Sequence, residues 1–293
     1  MARSDPQENG ERLSLETIER LLSTRRLGRA AGRANELWEE IESTNDRAAA
    51  LAAEGAPEGV LVVARQQTAG RGRLGRTWVS PPDAGVYVSV LLRPDASGTN
   101  LPLHTIACGV ACVKAIWECA GLQIGLKWVN DLVANGKKLG GILAEIPSSP
   151  AGYRSAATGQ QRQSIALVLG AGINLRLDPG TLPEELRDRV ESLENLAGQP
   201  VNPNLLVACL ARHLEQTLDL MAAGRAADVL DAWRQHSVTL GRPIKATSGS
   251  LQLQGLAVDI DESGGLIVDT VDRGRTTLHA GEITIRNPDG TYA

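Results

Sequence analysis

The strongest short-range signal in the chain is Asn135-Gly136, which stands between two apolar runs. An Asn-Gly pair fits the two positive-φ positions of a tight hairpin turn, whose twist matches that of the strands it joins. Ile124 to Ala134 and Lys137 to Ile146 therefore read as a strand pair, with Ala134 opposite Lys137, Val133 opposite Lys138 and Leu132 opposite Leu139. Side chains alternate along a strand. Ile124, Leu126, Trp128 and Leu132 then face a core, while Lys127, Val129, Asp131 and Val133 face the other way and Lys138 joins them. Two ammonium groups and a carboxylate converge on one side of a sheet, with diagonal partners about 7–8 Å apart at Cα. A surface ion-pair patch has the same pattern and contributes little. The apolar neighbours of this strand favour a buried sheet, and Gly140-Gly141 beside it lets a ligand approach the backbone.

The rest of the chain supplies elements around this hairpin. A short amphipathic run (Leu15, Ile18, Leu21, Leu22) reads as a helix within a polar, Arg-rich extension of residues 1–36. Leu37 to Ile41 alternates like a strand, and Ser43-Thr44-Asn45-Asp46 caps an Ala-rich helix that stops at Gly55. Gly59 to Ala64, Val86 to Leu92 and Ile165 to Leu169 are apolar strands, the last running into Gly170-Ala171-Gly172-Ile173-Asn174. Helices are predicted over Leu101–Leu122, Pro183–Leu196, Pro203–Ala223 and Ala226–His236, and Pro147 to Ser164 reads as a long exposed loop. After Leu240 short alternating strands and turns such as Asp261-Glu262-Ser263-Gly264-Gly265 suggest a small barrel-like domain, with a boundary near residue 238.

Charge and cysteine usage exclude several classes. At 293 residues a chain buries roughly 75% of its unfolded surface and needs no disulfide or metal staple. Thirty Lys+Arg against 34 Asp+Glu give a net charge of −4, which argues against a protein that coats nucleic acid. Cys108, Cys112 and Cys119 fall on one apolar helix with no C-x-x-C pair, so they read as buried apolar residues, and no metal site is expected. Leu101 to Leu122 is interrupted by His104, Lys114 and Glu118, so no membrane span is expected, and residues 1–14 lack a signal-peptide core. A reducing, cytoplasmic location follows.

Gly70-Arg71-Gly72-Arg73-Leu74-Gly75-Arg76 spells a dinucleotide fingerprint, but the following Thr77-Trp78-Val79-Ser80-Pro81-Pro82 cannot open the helix that such a fingerprint requires. A flexible loop remains, whose guanidiniums and backbone N–H groups close over an anion. A solvated basic turn and a small RNA-contacting loop are equally compatible with the composition.

Together these segments resemble the biotin protein ligases. The resemblance rests on Ser43-Thr44-Asn45, on Gln67 through Trp78, on Lys127-Trp128-Val129-Asn130-Asp131-Leu132, on Lys138 through Leu143, and on Gly170 through Asn174, in family order over residues 37 to about 285. Val129 departs from the Pro usual in the family, and the extension before Leu37 is shorter than a winged-helix DNA-binding domain. The resemblance implies an α+β fold: a mixed sheet of the class II aminoacyl-tRNA synthetase type flanked by helices (residues 37–237), plus an SH3-like β-barrel (residues 238–293). It also implies activation of biotin by MgATP to biotinyl-5′-AMP and transfer to a lysine of a biotin carboxyl carrier protein. No DNA or membrane partner is expected, and a homodimer is allowed. A lipoate or octanoate ligase or transferase of the same fold is the rival enzyme; a nucleic-acid module using the arginine loop is the rival binding protein.

The chemistry and the resemblance together suggest roles. Joining two anions needs fixed cations, so Lys127, Arg71 and Arg73 are candidate catalytic residues for activation, with Asp131 to orient the acceptor ammonium and take its proton and Lys138 to hold the departing phosphate in transfer. The resemblance assigns Ser43, Thr44, Asn45, Gln67, Arg71, Gly72, Arg73, Lys127 and Gly141 to biotin. It assigns Arg71, Arg73, Arg76, Trp78, Asn130, Lys138 and Asn174 to the nucleotide, with Trp78 as an adenine-side wall. Trp128, on the face opposite Lys127, is expected in the core. Gly281-Glu282-Ile283 is expected to help seat nucleotide or carrier, and the glycines at 70, 72 and 75 suggest a loop that orders over the adenylate.

Overall fold

The computed structural model describes residues 12–95, 99–147, 153–154, 161–162, 164–178, 180, 182–248 and 251–285. Residues 1–11 of the extension, most of the expected 147–164 loop and residues 286–293 of the expected C-terminal segment lie outside the described residues. The chain opens with α1 (Leu15–Leu21), β1 (Glu36–Trp38), α2 (Thr44–Ala53), β2 (Leu61–Ala64), β3 (Gly85–Leu92) and α3 (Leu101–Ala120). Next come β4 (Gly125–Lys127), β5 (Asp131–Ala134), β6 (Lys137–Glu145), the short pair β7 (Tyr153–Arg154) and β8 (Gln161–Arg162), and β9 (Leu167–Asn174). Then α4 (Glu184–Arg187), α5 (Leu193–Ala197), α6 (Pro203–Ala222) and α7 (Ala226–His236) precede β10 (Pro243–Ser248), β11 (Leu251–Ile260), β12 (Leu266–Thr270), β13 (Gly274–Leu278) and β14 (Glu282–Ile285).

Seven strands form a mixed sheet in the order β1-β2-β3-β9-β6-β5-β4, with β1 and β2 parallel and the other pairs antiparallel. Period-two alternation gives the sheet two unlike faces. Val86, Val88, Val90 and Leu92 of β3 and Leu167, Leu169, Ala171 and Ile173 of β9 point into the main core, under α3 and α6. On the other face, Val62, Leu91 and Val168 pack against Ala48, Leu51 and Ala52 of α2. Because α2 covers only one end of this face, the remainder is left to form a cleft.

α3 is long and apolar enough to pass for a membrane span by length and composition. It is a core helix, with Ile106, Val110, Val113 and Ile116 all buried against the sheet and α6. The N-terminal segment is folded onto the same core. Ile18 and Leu27 are fully buried, and the Glu215 carboxylate of α6 accepts the backbone N–H groups of Arg25, Arg26 and Leu27 at 2.8, 2.7 and 2.9 Å.

Three expectations need correction. The C-terminal strands do not make an SH3-like barrel: the antiparallel order is β13-β12-β11-β10-β14, and the outer strands β13 and β14 do not pair. The apolar side of this open sheet is covered by the rest of the fold. Ile244, Ala246, Leu253, Val268 and Ile283 are continuous with the main core, and the indole Nε1 of Trp128 donates to the Gly264 carbonyl at 2.9 Å.

The predicted helix over Pro183–Leu196 is two short pieces, α4 and α5. The backbone between them is used elsewhere: Lys138 donates its N–H to Arg189, and Glu191 donates to Lys138, at 2.8 and 2.9 Å.

The stretch Ile124 to Ala134 is not one strand but a hairpin of its own. β4 and β5 reverse at residues 128–130 and pair Gly125 with Val133, Leu126 with Leu132 and Lys127 with Asp131. Asn135 and Gly136 take φ of 51° and 74°, the tight turn expected, and Ala134–Lys137 and Val133–Lys138 pair as expected. An irregularity then shifts the register so that Leu132 faces Gly140 instead of Leu139. Both Leu132 and Leu139 reach the core that way.

Candidate active site

The uncovered sheet face carries a row that crosses five strands. Tyr87 of β3 pairs with Gly172 of β9, Gly172 with Gly141 of β6, Gly141 with Asp131 of β5, and Asp131 with Lys127 of β4. The two glycines make a trough in mid-row, and Trp78 lies over it. A Cβ on Gly172 would meet the indole at 2.8 Å, and one on Gly141 would meet it at 3.3 Å. The charged end of the row is compact: Lys138 Nζ is 2.6 Å from Asp131 Oδ1, Lys127 Nζ is 4.0 Å from Oδ2, and the Lys138 ammonium sits 5.4 Å from the Trp78 ring centre. That last distance is a cation–π contact. Lys127 and Asp131 share a face because they are opposite each other across a hairpin; the alternation argument reached the same face by a different route.

A second row, Ser89–Gly170–Leu143, forms the neutral end of the cleft. Ser43 caps α2, its hydroxyl accepting from the Asp46 N–H at 3.3 Å, and this capped turn holds Thr44 and Asn45 over the row. A Cβ on Gly170 would lie 2.1 Å from Asn45 Oδ1, so only glycine admits that amide. Asn45 Oδ1 accepts from the Ser89 hydroxyl at 2.6 Å, and its Nδ2 donates to Glu145 at 2.8 Å. Gln67 Oε1 accepts from the Thr44 N–H at 2.8 Å and from its hydroxyl at 3.1 Å, and Gln67 Nε2 donates to the Ser80 hydroxyl at 3.1 Å. These hydroxyls and amides are preorganised neutral donors and acceptors.

The Gly/Arg loop closes the front. It is a compact turn: Trp78 N–H bonds to the Gly70 carbonyl at 2.8 Å, Gly72 N–H bonds to the Arg76 carbonyl at 2.7 Å, and Leu74 and Gly75 take φ of 55° and 73°. Arg71 grips Glu145 with both Nη atoms (2.7 and 3.0 Å) and Asp46 with Nη2 (2.5 Å). These bonds, Glu145 first, raise the guanidinium pKa further. Arg73 lies deeper, 3.3 Å from Asn130 Oδ1; burial lowers its pKa, against the pull of Glu282 and Asp131. Arg76 reaches across to Glu282 on β14 of the smaller sheet.

The cleft of about 190 Å³ that results is lined by Ser43, Thr44, Asn45, Gln67, Arg71, Gly72, Arg73, Arg76 and Trp78 from one side. Lys127, Asn130, Asp131, Lys138 and Gly141 line the other, and residues 281–284 form the rim. Of the residues assigned from sequence to catalysis, biotin or nucleotide, Asn174 is the one that does not line it. Its Nδ2 donates to the carbonyls of Glu191 (3.0 Å) and Lys138 (3.4 Å), so it braces the backbone that carries Lys138. Trp128 is buried, 3% exposed, although it also borders the cleft.

Three polar partners escaped the sequence reading: Asp46, Ser89 and Glu145. Ser89 had a legible signal, a lone hydroxyl in the apolar run of β3. Glu145 had a weaker one, an acid in phase with Gly141 and Leu143 on β6.

Comparison with known proteins bears on this arrangement. Residues 37–150 match the model of the biotin/lipoate A/B protein ligase family, and residues 239–286 match the biotin protein ligase C-terminal domain. The bifunctional ligase/repressor BirA of Bacillus subtilis is 34% identical over 246 residues, which span 84% of this chain and 72% of that protein. The biotin–[acetyl-CoA-carboxylase] ligase of Paracoccus denitrificans is 31% identical over 252 residues, 83% of this chain and 96% of the relative.

The chain belongs to the biotin protein ligase family.

Among solved structures, the biotin protein ligase of Aquifex aeolicus in complex with biotin and ATP is similar, with a TM-score of 0.72 and 27% identity over 86% of this chain and 99% of that one. Relative to the family motif, Val129 in place of Pro is a buried residue, 7% exposed, in the β4–β5 turn.

Proposed function

We propose that this protein is an ATP-dependent ligase that activates biotin as biotinyl-5′-AMP and transfers the biotinyl group to a lysine of a biotin carboxyl carrier protein. The observation that carries the reading is the joining of two chemistries in one cleft. A neutral wall of hydroxyls and amides suits an uncharged urea, and it adjoins a cationic corner that suits a carboxylate beside a phosphate.

In the first step a biotin carboxylate oxygen attacks the α-phosphorus and pyrophosphate leaves. Lys127 is the group to bridge the two anions, and Arg73 supplies planar donors to their oxygens. Trp78 walls the adenine side. Mg²⁺ would come bound to ATP, and there it would neutralise phosphate charge. Among the described residues Asp131 pairs with Lys138 and Glu282 with Arg76.

In the second step the carrier amine attacks the anhydride carbonyl and AMP leaves. A free lysine costs about 4.6 kcal/mol to deprotonate at pH 7. Asp131 is proposed to orient the ammonium and take its proton, and Lys138 to hold the departing phosphate. Residues 37–237 would carry both substrates, and residues 238–293 would close the nucleotide end through Glu282. The four free thiols fit a reducing, cytoplasmic setting.

Biotin-dependent exchange of pyrophosphate into ATP tests the first step. Lys127→Ala should lower it by about 10²–10³-fold, the range seen for loss of one charge-stabilising donor. Asp131→Asn should spare exchange and impair transfer to a carrier. Equal exchange with lipoate in place of biotin would overturn the substrate assignment, and equal loss of both half-reactions in Asp131→Asn would overturn the division of roles.

A further inference from the structure

Glu145, at the end of β6, joins two parts of the cleft that are far apart in sequence. Its Oε2 accepts from Asn45 Nδ2 at 2.8 Å and from Arg71 Nη2 at 3.0 Å, while Oε1 accepts from Arg71 Nη1 at 2.7 Å. Asn45 is fixed from its other side as well, since Oδ1 takes the Ser89 hydroxyl at 2.6 Å and Nδ2 also meets the Leu143 carbonyl at 3.3 Å. The amide therefore has one orientation, NH₂ toward Glu145 and oxygen toward Ser89. All the groups that point at Glu145 are donors, and only an ionised carboxylate accepts from all of them at once.

We infer that Glu145 is a positioning residue for the ligand-binding wall, acting through Asn45 and Arg71 rather than by touching the reacting atoms. It sets the amide face that Asn45 presents to the urea of biotin and ties the arginine loop to the start of α2. Asp46 supports Arg71 from the other side at 2.5 Å but does not reach Asn45, so it cannot substitute. A glutamine at 145 keeps the shape but has one acceptor oxygen, and its NH₂ must oppose a donor of Asn45 or Arg71. The inference rests on the biotin-ligase reading above and adds a residue to it.

The test is steady-state pyrophosphate exchange with the full chain, varying biotin and ATP separately, for wild type, Glu145→Gln, Arg71→Gln and the double variant. Thermal melting of each variant checks folding. Glu145→Gln is expected to raise the biotin KM about ten-fold, the size of one lost charge-assisted hydrogen bond, with kcat and the ATP KM changed less than about threefold. The double variant is expected to lose less biotin affinity than the product of the two single losses, because the two residues share one hydrogen-bond network. If Glu145→Gln does not fold, Glu145→Asp carries the same test, since the shorter side chain reaches one donor but not both. A biotin KM unchanged in a folded, active variant, or losses that simply multiply in the double variant, would overturn the inference. Absence of biotin-dependent exchange in the wild type would instead overturn the functional reading.

Discussion

Three arginines of one short loop end in three environments. Arg71 is neutralised by Glu145 and Asp46, Arg73 is buried beside Asn130, and Arg76 pairs with Glu282. Spacing alone showed them as equivalent cations; only their partners, from α2, β6, β14 and the β4–β5 turn, distinguish them. Outside the cleft, Glu118 gives a titration test. Arg212 first, then His213, hydrogen-bond its carboxylate and hold its pKa down to about 2. The folded-state value lies below that of the unfolded chain, near 4.3, so ionised Glu118 stabilises the fold fully above that value. The contribution is lost as pH falls toward about 2. The pair is half-exposed and its effect is small. Urea unfolding should show wild type ahead of Glu118→Gln at pH 6, with the gap narrowing at pH 3. A gap that stays constant across this range refutes the linkage.

At the scale of elements, glycines in β9 and β6 decide where the cleft can be. Gly170 and Gly172 open the sheet surface to Asn45 and Trp78, and a methyl group at 172 would press on a rigid indole at 2.8 Å. Gly172→Ala should cost about 1–3 kcal/mol of stability, as overpacking does, and should raise the KM for ATP by pushing Trp78 out of place. Tryptophan fluorescence and pyrophosphate exchange read the two effects, and an unchanged ATP KM would refute the role given to Trp78. Capping at Ser43, the Asn135-Gly136 turn and the bounds of α6 and α7 were legible because each depends on a few neighbouring residues. The β4–β5 reversal and the break between α4 and α5 were not. At both places the backbone bonds to a distant partner, so local periodicity carried no mark of them.

Across the whole molecule, the smaller sheet is held as one wall of the cleft rather than as a closed unit. Arg76–Glu282 joins it to the arginine loop, and Trp128–Gly264 joins it to the β4–β5 turn. Glu282→Gln should leave stability within about 1 kcal/mol, as expected for an exposed pair, while amide exchange at residues 70–76 becomes faster. Unchanged exchange in the loop would mean that the ion pair does not hold it.

The sequence by itself determined the alternation that divides each strand into a core side and a cleft side. It also determined the turn and cap chemistry, and the presence of lysines, an aspartate and a guanidinium-rich loop suited to paired anions. Tertiary structure alone decided which carboxylates hold Arg71 and Arg76, that Asn174 braces Lys138 instead of facing the cleft, and that the last five strands remain an open sheet. The reason is range. Side-chain alternation and turn preference act over a few residues, whereas ion pairing and sheet closure depend on contacts between segments tens to hundreds of residues apart.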